Sequence, residues 1–374
     1  MKNIKFYNLS KFNKKYEKKF INDFKTINRN GRLVLGDFVK KFEKNFAKFC
    51  KVKYCVGVGN GVDAIKLSFM ALKILGTIKD HDEVLVPANT YIASILGVTA
   101  ANLKPVFVEP DVKTFNISAK NILKSITKKT KAILVVDLYG YPANLIEILK
   151  IAKKYKLQLI EDAAQSCGAK IKNKMVGSFC DTTCFSFFPG KNLGAFGDAG
   201  AITTSNLKLY NILKSLRNYG EDVFDNLKDR KYLNKYKGVN SRMDEIQASI
   251  LLSKLKNYKK DQNIRKYIAN FYLKNIKNKK IILPFLDKNV EHSWHLFVIK
   301  CKLRDKLKYY LKKNNIQTMV HYPIPPHKQM AFKELNKLKF KTTEKLCNQV
   351  LSLPIFPTLK KAEMKYVVKI INNF

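Results

Sequence analysis

Lys191 stands in 185-FSFFPGKNLGAFGD, a lysine set among aromatic residues and glycines. Apolar surroundings favour the neutral amine, which suits a nucleophile or a carbonyl-trapping amine. The alternative is a solvated loop lysine, common in so lysine-rich a chain. In 158-QLIEDAAQS, Asp162 closes an apolar run where a carboxylate would meet a buried cation, although Asp also favours helix N-caps. In 56-VGVGNGVDAIKL, Gly57, Gly59 and Gly61 precede a helical pattern. Glycines there let backbone N–H groups approach an anion, and the helix dipole assists. Their spacing fits neither GxGxxG nor GxxxxGK[ST], so a tight turn into a helix is an equal reading. An anion cradle, a carboxylate for a ring nitrogen and a reactive amine are together the parts that pyridoxal phosphate needs.

The elements that must position these groups alternate. Apolar runs at 84-VLVPA, 105-PVFVE, 132-AILVVDLYG, 157-LQLIEDAA, 183-TCFSFF and 200-GAITT read as strands. Between them, 62-VDAIKLSFMALKIL, 91-YIASILGVTAA and 144-NLIEILKIAKKY read as helices. This alternation predicts an α/β fold with a mostly parallel central sheet covered on both faces. Ligands of such sheets bind beyond the carboxyl ends of the strands, where Asp162 is expected. After about residue 242 a long helical stretch leads to strand-like 294-WHLFVIKCK and a helix at 304-RDKLKYYLKKN. The expected division is a large domain over 1–252, including an N-terminal arm, and a smaller α+β C-terminal domain over 253–374.

The chain has 374 residues, 46% of them hydrophobic, enough for a sizeable core. No run approaches the roughly 18 apolar residues of a membrane span, and the basic N-terminus lacks a signal-peptide pattern. The expectation is a cytoplasmic protein with no membrane partner. Cys50, Cys55, Cys167, Cys180, Cys184, Cys301 and Cys347 form no metal-ligand spacing and read as reduced structural thiols. A net charge of +42 raises the question of nucleic acid. Arginine is scarce, however, and the lysines are spread along the whole chain with no compact basic module, so no nucleic-acid partner is expected.

The chain resembles the DegT/DnrJ/StrS-type sugar aminotransferases, pyridoxal-phosphate enzymes of fold type I. The matching segments include GVGNGVDA, VPANTYIAS, TKAILVVDLYG, IEDAAQSCGA, VGSFCDTTCFSFFPGKNLGAFGDAGAITT, GVNSRMDEIQA and VHYPIPPHKQ, in family order over about residues 31–357. The resemblance implies that Lys191 links the cofactor and moves the proton, and that Asp162 pairs with the pyridine nitrogen. It places Gln165 near the ring oxygen, Tyr91 against the ring face, and Gly61, Val62 and Ser186 at the phosphate. Asn240 would reach the phosphate across a dimer interface, which implies an obligate homodimer with composite sites.

Three positions depart from the family pattern. Val62 stands where threonine is frequent, Asp137 replaces the histidine of HLYG, and Asn234 lies where relatives often carry histidine. Asp137, Tyr219, Asn234, His321 and His327 are the candidate substrate contacts, with structural hydrogen bonding the alternative for both histidines. His292 and His295 are expected on the small domain's strand, His81 at a surface turn, and no histidines pair for a metal. The implied reaction transfers the amino group of glutamate to a nucleotide-linked keto-sugar. The flanking GVGNGVDA resembles the branch acting on the C3 ketone of dTDP-linked 6-deoxyhexoses, as in amino-sugar biosynthesis for surface polysaccharide or glycan. The alternatives are a 4-keto-sugar aminotransferase, or a non-catalytic regulatory or basic nucleic-acid-binding protein.

Overall fold

In the computed structural model, residues 3–222 and 233–374 are described, so the first two residues of KYLNKYKGVNSR lie outside them. The apolar runs build one seven-stranded sheet. Its strands are β1 (Tyr54–Val58), β2 (Glu83–Pro87), β3 (Lys104–Val108), β4 (Thr130–Val136), β5 (Gln158–Asp162), β6 (Thr182–Ser186) and β7 (Gly200–Thr204). Their spatial order is β1-β7-β6-β5-β4-β2-β3. All pairings are parallel except those of β7, which runs against both its neighbours. The carboxyl ends of β1, β2, β3, β4, β5 and β6 therefore share one edge.

All six strands read from the sequence are present, and β1 is an addition. Its glycines resemble turn residues, yet Gly57 sits in the strand paired with Ala201 of β7. Neighbouring strand residues point to opposite faces and both are buried. Val84 and Val86 join one core cluster, while Leu85 joins another with Ile133 and Ile148. The helices Gly61–Ile74, Ile92–Thr99 and Leu145–Lys154 match the expected helical segments. A third cluster packs Phe42 and Phe46 of the helix Asp37–Cys50 edge-on against Phe185 and Phe187, which flank the end of β6.

One long helix, Glu245–Asn275, runs from the large unit into the small one, and the expected 252/253 boundary lies inside it. Its far half gives Ile268 and Tyr272 to a core shared with Phe297, Leu351 and Leu353. That core backs an antiparallel sheet of Ile281–Ile282, Phe297–Cys301 and Val350–Leu353. Ile4 of the N-terminal arm is buried there too, bridged to Ile316. The small-unit strand starts at Phe297, so His292 and His295 lie in the segment before it, correcting the expectation. His81 sits in a turn at positive φ and is exposed. Among the described residues no helix is long and apolar enough to cross a membrane, and no group of three or more His, Cys, Asp or Glu is placed to hold a metal.

Candidate active site

Where β1 ends, Asn60 caps the helix Gly61–Ile74, its Oδ1 accepting from Asp63 N at 2.8 Å. Ser241 fastens the turn: its Oγ donates to Asp63 Oδ2 at 2.7 Å and accepts from Gly59 N at 3.0 Å. The N–H groups of Gly61 and Val62 make no hydrogen bond among the described residues. A Cβ on Gly61 would stand 2.8 Å from Ser186 Cβ, so glycine is what lets the end of β6 approach this helix. The result is two free backbone donors, a positive helix end and a serine hydroxyl at one place, which is an anion cradle.

Asp162 ends β5, buried, next to this cradle's strand in the sheet. Its Oδ2 accepts from Ser94 Oγ at 2.7 Å and its Oδ1 from Ala164 N at 3.1 Å. No cation pairs with it within salt-bridge distance among the described residues. Burial pushes its carboxyl pKa up, opposed by the Ser94 and Ala164 hydrogen bonds and by the Lys191 charge. Lys191 follows β6 in a tight loop, its N–H donating to Phe188 O at 2.8 Å and Ala195 N to Phe187 O at 2.7 Å. The Lys191 amine makes no hydrogen bond or ion pair among the described residues. Burial lowers it from the ordinary 10.5 to about 8, with Asp162 opposing. A desolvated amine and a buried acid thus stand at the ends of adjacent strands, the amine following the strand that carries Ser186 of the cradle. A phosphorylated, cationic heteroaromatic ring fits this donor set: the acid would take the ring N–H⁺ and the cradle the phosphate.

The other expected residues divide. Tyr91 opens the helix Ile92–Thr99 with its ring exposed, 5.0 Å between centroids from Tyr322. Gln165 is nearby, but its amide is engaged: Oε1 accepts from Tyr139 N at 2.6 Å and Nε2 donates to Tyr322 Oη at 2.9 Å. His321 hydrogen-bonds Ser352 Oγ through Nδ1 at 2.8 Å, and burial, then the Lys191 charge, lowers it to about 4. Tyr219 is exposed, its carbonyl accepting from Asn234 Nδ2 at 2.9 Å. Asn240 is exposed and bridges to Asn218 through the backbone.

Two expectations meet an interior role instead. Asp137 has 0% exposure, and its oxygens accept from Ala143 N at 2.9 Å and Ser166 Oγ at 2.8 Å. Burial and then the neighbouring Glu161 push its pKa well up, and its full burial leaves no face for a substrate. His327 also has 0% exposure, with Nε2 3.0 Å from Glu344 Oε1 and its ring packed edge-on against Phe340. The structure adds residues to which the sequence reading gave no role in the site. Ser94 orients Asp162. His295, whose Nδ1 is 3.3 Å from Asn192 Oδ1, is kept neutral by burial and by the Lys191 charge. Tyr322 joins the small unit to Gln165. Only Ser94, three positions after Tyr91 on one helical turn, had a signal in the sequence.

The model of the DegT/DnrJ/EryC1/StrS aminotransferase family matches residues 14–372, and the chain belongs to that family. It is 47% identical over 372 residues to dTDP-3-amino-3,6-dideoxy-alpha-D-galactopyranose transaminase of Aneurinibacillus thermoaerophilus, covering 99% of both chains. It is 35% identical over 370 residues to UDP-2-acetamido-2-deoxy-3-oxo-D-glucuronate aminotransferase of Pseudomonas aeruginosa, covering 99% of this chain and 100% of that one. Among solved structures it is similar to S. venezuelae DesV in complex with a ketimine intermediate. There the TM-score is 0.93 at 35% identity, covering 100% of this chain and 98% of that one. The protein is an aminotransferase, and its mixed α/β fold with a mostly parallel sheet is that of these enzymes.

Proposed function

We propose that this member of the DegT/DnrJ/EryC1/StrS aminotransferase family uses pyridoxal phosphate to aminate the C3 ketone of a nucleotide-linked 6-deoxyhexose, with glutamate as donor. The observation that carries the cofactor reading is the buried, unpaired Asp162 carboxylate on the strand next to that of a lysine amine lowered to about 8. A bound NtdA structure, similar at 31% identity and TM-score 0.91, holds the pyridoxamine form of the same cofactor. The likeness to the dTDP-3-amino sugar transaminase over 99% of the chain supports a dTDP-linked 3-keto substrate.

In this reading Gly61 and Val62 N–H and the Ser186 hydroxyl hold the phosphate, and Asp162 holds the ring nitrogen, kept in line by Ser94. Tyr91 presents its exposed ring to one face of the cofactor. When bound, pyridoxal phosphate supplies an electron sink for the bond that breaks or forms at the substrate carbon. Lys191 Nζ, neutral in a large fraction near pH 8, takes up a proton and returns it as the general acid–base. His295 and His321, both kept neutral by burial and the Lys191 charge, leave the lysine as the titrating base beside the acid. Asn240 is exposed in the single chain, as are Phe188 and Tyr219. A second copy of the chain covers this rim and receives Asn240 at its phosphate, so the working form is a homodimer.

The test uses purified protein with pyridoxal phosphate, glutamate and a panel of dTDP- and UDP-linked 3-keto and 4-keto sugars. Mass spectrometry should detect an amino sugar from a dTDP-3-keto-6-deoxyhexose, with one 2-oxoglutarate formed per amine. Amination of only 4-keto sugars would overturn the regiochemical reading, and no visible absorbance change with cofactor and glutamate would overturn the reaction itself.

A further inference from the structure

Lys254, in the first half of the long helix, is buried to 2% exposure and forms no ion pair among the described residues. Its Nζ donates to Gly194 O at 2.6 Å, three residues beyond Lys191. Around it stand the rings of Phe196 at 4.9 Å, Phe12 at 5.4 Å and Tyr16 at 5.8 Å. Asp261, whose charge acts on it, is bound instead by Lys15 at 2.8 Å. In so lysine-rich a chain almost every ammonium can reach water; this one is spent on a single carbonyl in a cage of aromatic faces.

The carbonyl it holds belongs to a tightly packed turn. A Cβ on Gly194 would lie 2.4 Å from Pro189 O, so the chain doubles back tightly around Lys191. The same helix holds the next turn as well, Gln247 Oε1 accepting from Phe196 N at 2.9 Å. Farther along it, Arg265 NH1 donates to Trp294 O at 3.2 Å and Ile355 O at 2.9 Å. Gln247, Lys254, Asp261 and Arg265 recur at spacings of seven, seven and four residues, and so lie along one helical face. That face meets the lysine loop, the N-terminal arm and the small unit in turn.

We propose that Lys254 is a positioning residue for Lys191: from its aromatic cage it holds the Gly194 carbonyl and so fixes the loop that carries the reactive amine. This rests on the reading of Lys191 as the catalytic lysine. Burial, then the Lys15 charge, lowers the Lys254 amine to about 7 with Asp261 opposing, and either protonation state keeps an N–H for Gly194. The grip therefore persists across the working pH range. An amine displaced by an ångström or rehydrated by a loosened loop loses the geometry and the lowered basicity that make it reactive.

The experiment compares Lys254→Met, which keeps the apolar stem, with the wild type as holoenzyme. Three readouts are taken: kcat and KM for the sugar nucleotide, the pH midpoint of Lys191 capture by pyridoxal phosphate and borohydride, and the melting temperature. Positioning predicts that kcat falls about 10- to 100-fold with KM changed less than about threefold, and that the midpoint rises from about 8. A lowered melting temperature with unchanged kcat and midpoint would make Lys254 only a stabiliser and overturn the proposal. If the Met variant does not fold, Gln247→Leu at its half-buried position severs the neighbouring grip, and the same midpoint must rise by less; an unmoved midpoint overturns the proposal. Lys191→Ala, run alongside, loses turnover if the catalytic reading is right, so failure of that reading and failure of this one give different results.

Discussion

Burial first, and then the charge of the other group, shifts both the amine of Lys191 and the carboxylate of Asp162, and this makes their roles measurable. Lys191→Ala should lower turnover on the order of 1,000-fold while the folded protein still binds cofactor, read by steady-state rates and absorbance titration. With the amine at about 8, capture of Lys191 by cofactor and borohydride should rise about tenfold per pH unit below 8 and level off above it. Asp162 supports the ammonium, so Asp162→Asn should move that midpoint down; a midpoint that stays or rises would contradict the coupling. At this scale the sequence was legible where chemistry is local, as in Lys191 among phenylalanines. It was silent where a role depends on burial. Asp137 sits beside the sheet edge in sequence terms, yet 0% exposure makes it an interior acid beside Glu161.

Elements place these residues by direction more than by proximity in the chain. Six parallel strands end on one edge, so turns separated by long stretches of sequence become neighbours. The cradle depends on how closely the helix Gly61–Ile74 approaches β6, since a side chain at Gly61 meets Ser186 Cβ at 2.8 Å. Gly61→Ala should strain that approach by about 1–3 kcal/mol. Cofactor affinity, measured by equilibrium dialysis, should fall about tenfold or more, since roughly 1.4 kcal/mol is a factor of ten. Unchanged affinity would place the phosphate elsewhere. The helix Asp37–Cys50 is held in turn by Glu245, whose two oxygens accept from Phe38 N at 2.9 Å and Val39 N at 2.8 Å. One long helix thus fastens the N-terminal layer, the lysine loop and the small unit. Its apolar residues announced a helix; its buried polar face is readable only from what it touches.

At the scale of the molecule, the single chain leaves its site open on the side where Asn240, Tyr219 and Phe188 are exposed. If the neighbouring copy supplies Asn240, then Lys191→Ala and Asn240→Ala homodimers should each be nearly inactive. Unfolding and refolding them together should restore about a quarter of wild-type activity, because mixed dimers hold one complete site. No recovery on mixing, with dimers verified by light scattering, would put Asn240 in the site of its own chain.

The sequence by itself determined the alternation of strands and helices, and it singled out Lys191 and Asp162 as candidates for the chemistry, with Gly61 and Ser186 added by the family resemblance. Each lies in a short segment whose apolar run, turn or glycine carries its own local physical meaning. Tertiary structure decided what no local pattern encodes. It made Ser94 the partner of Asp162 across 68 residues and Lys254 the partner of Gly194 across 60. It also spent the amide of Gln165 on Tyr139 and Tyr322, and buried His327 against Phe340. The physical reason is that a hydrogen bond or a desolvated charge belongs to a pair of groups, and only the fold chooses the pair.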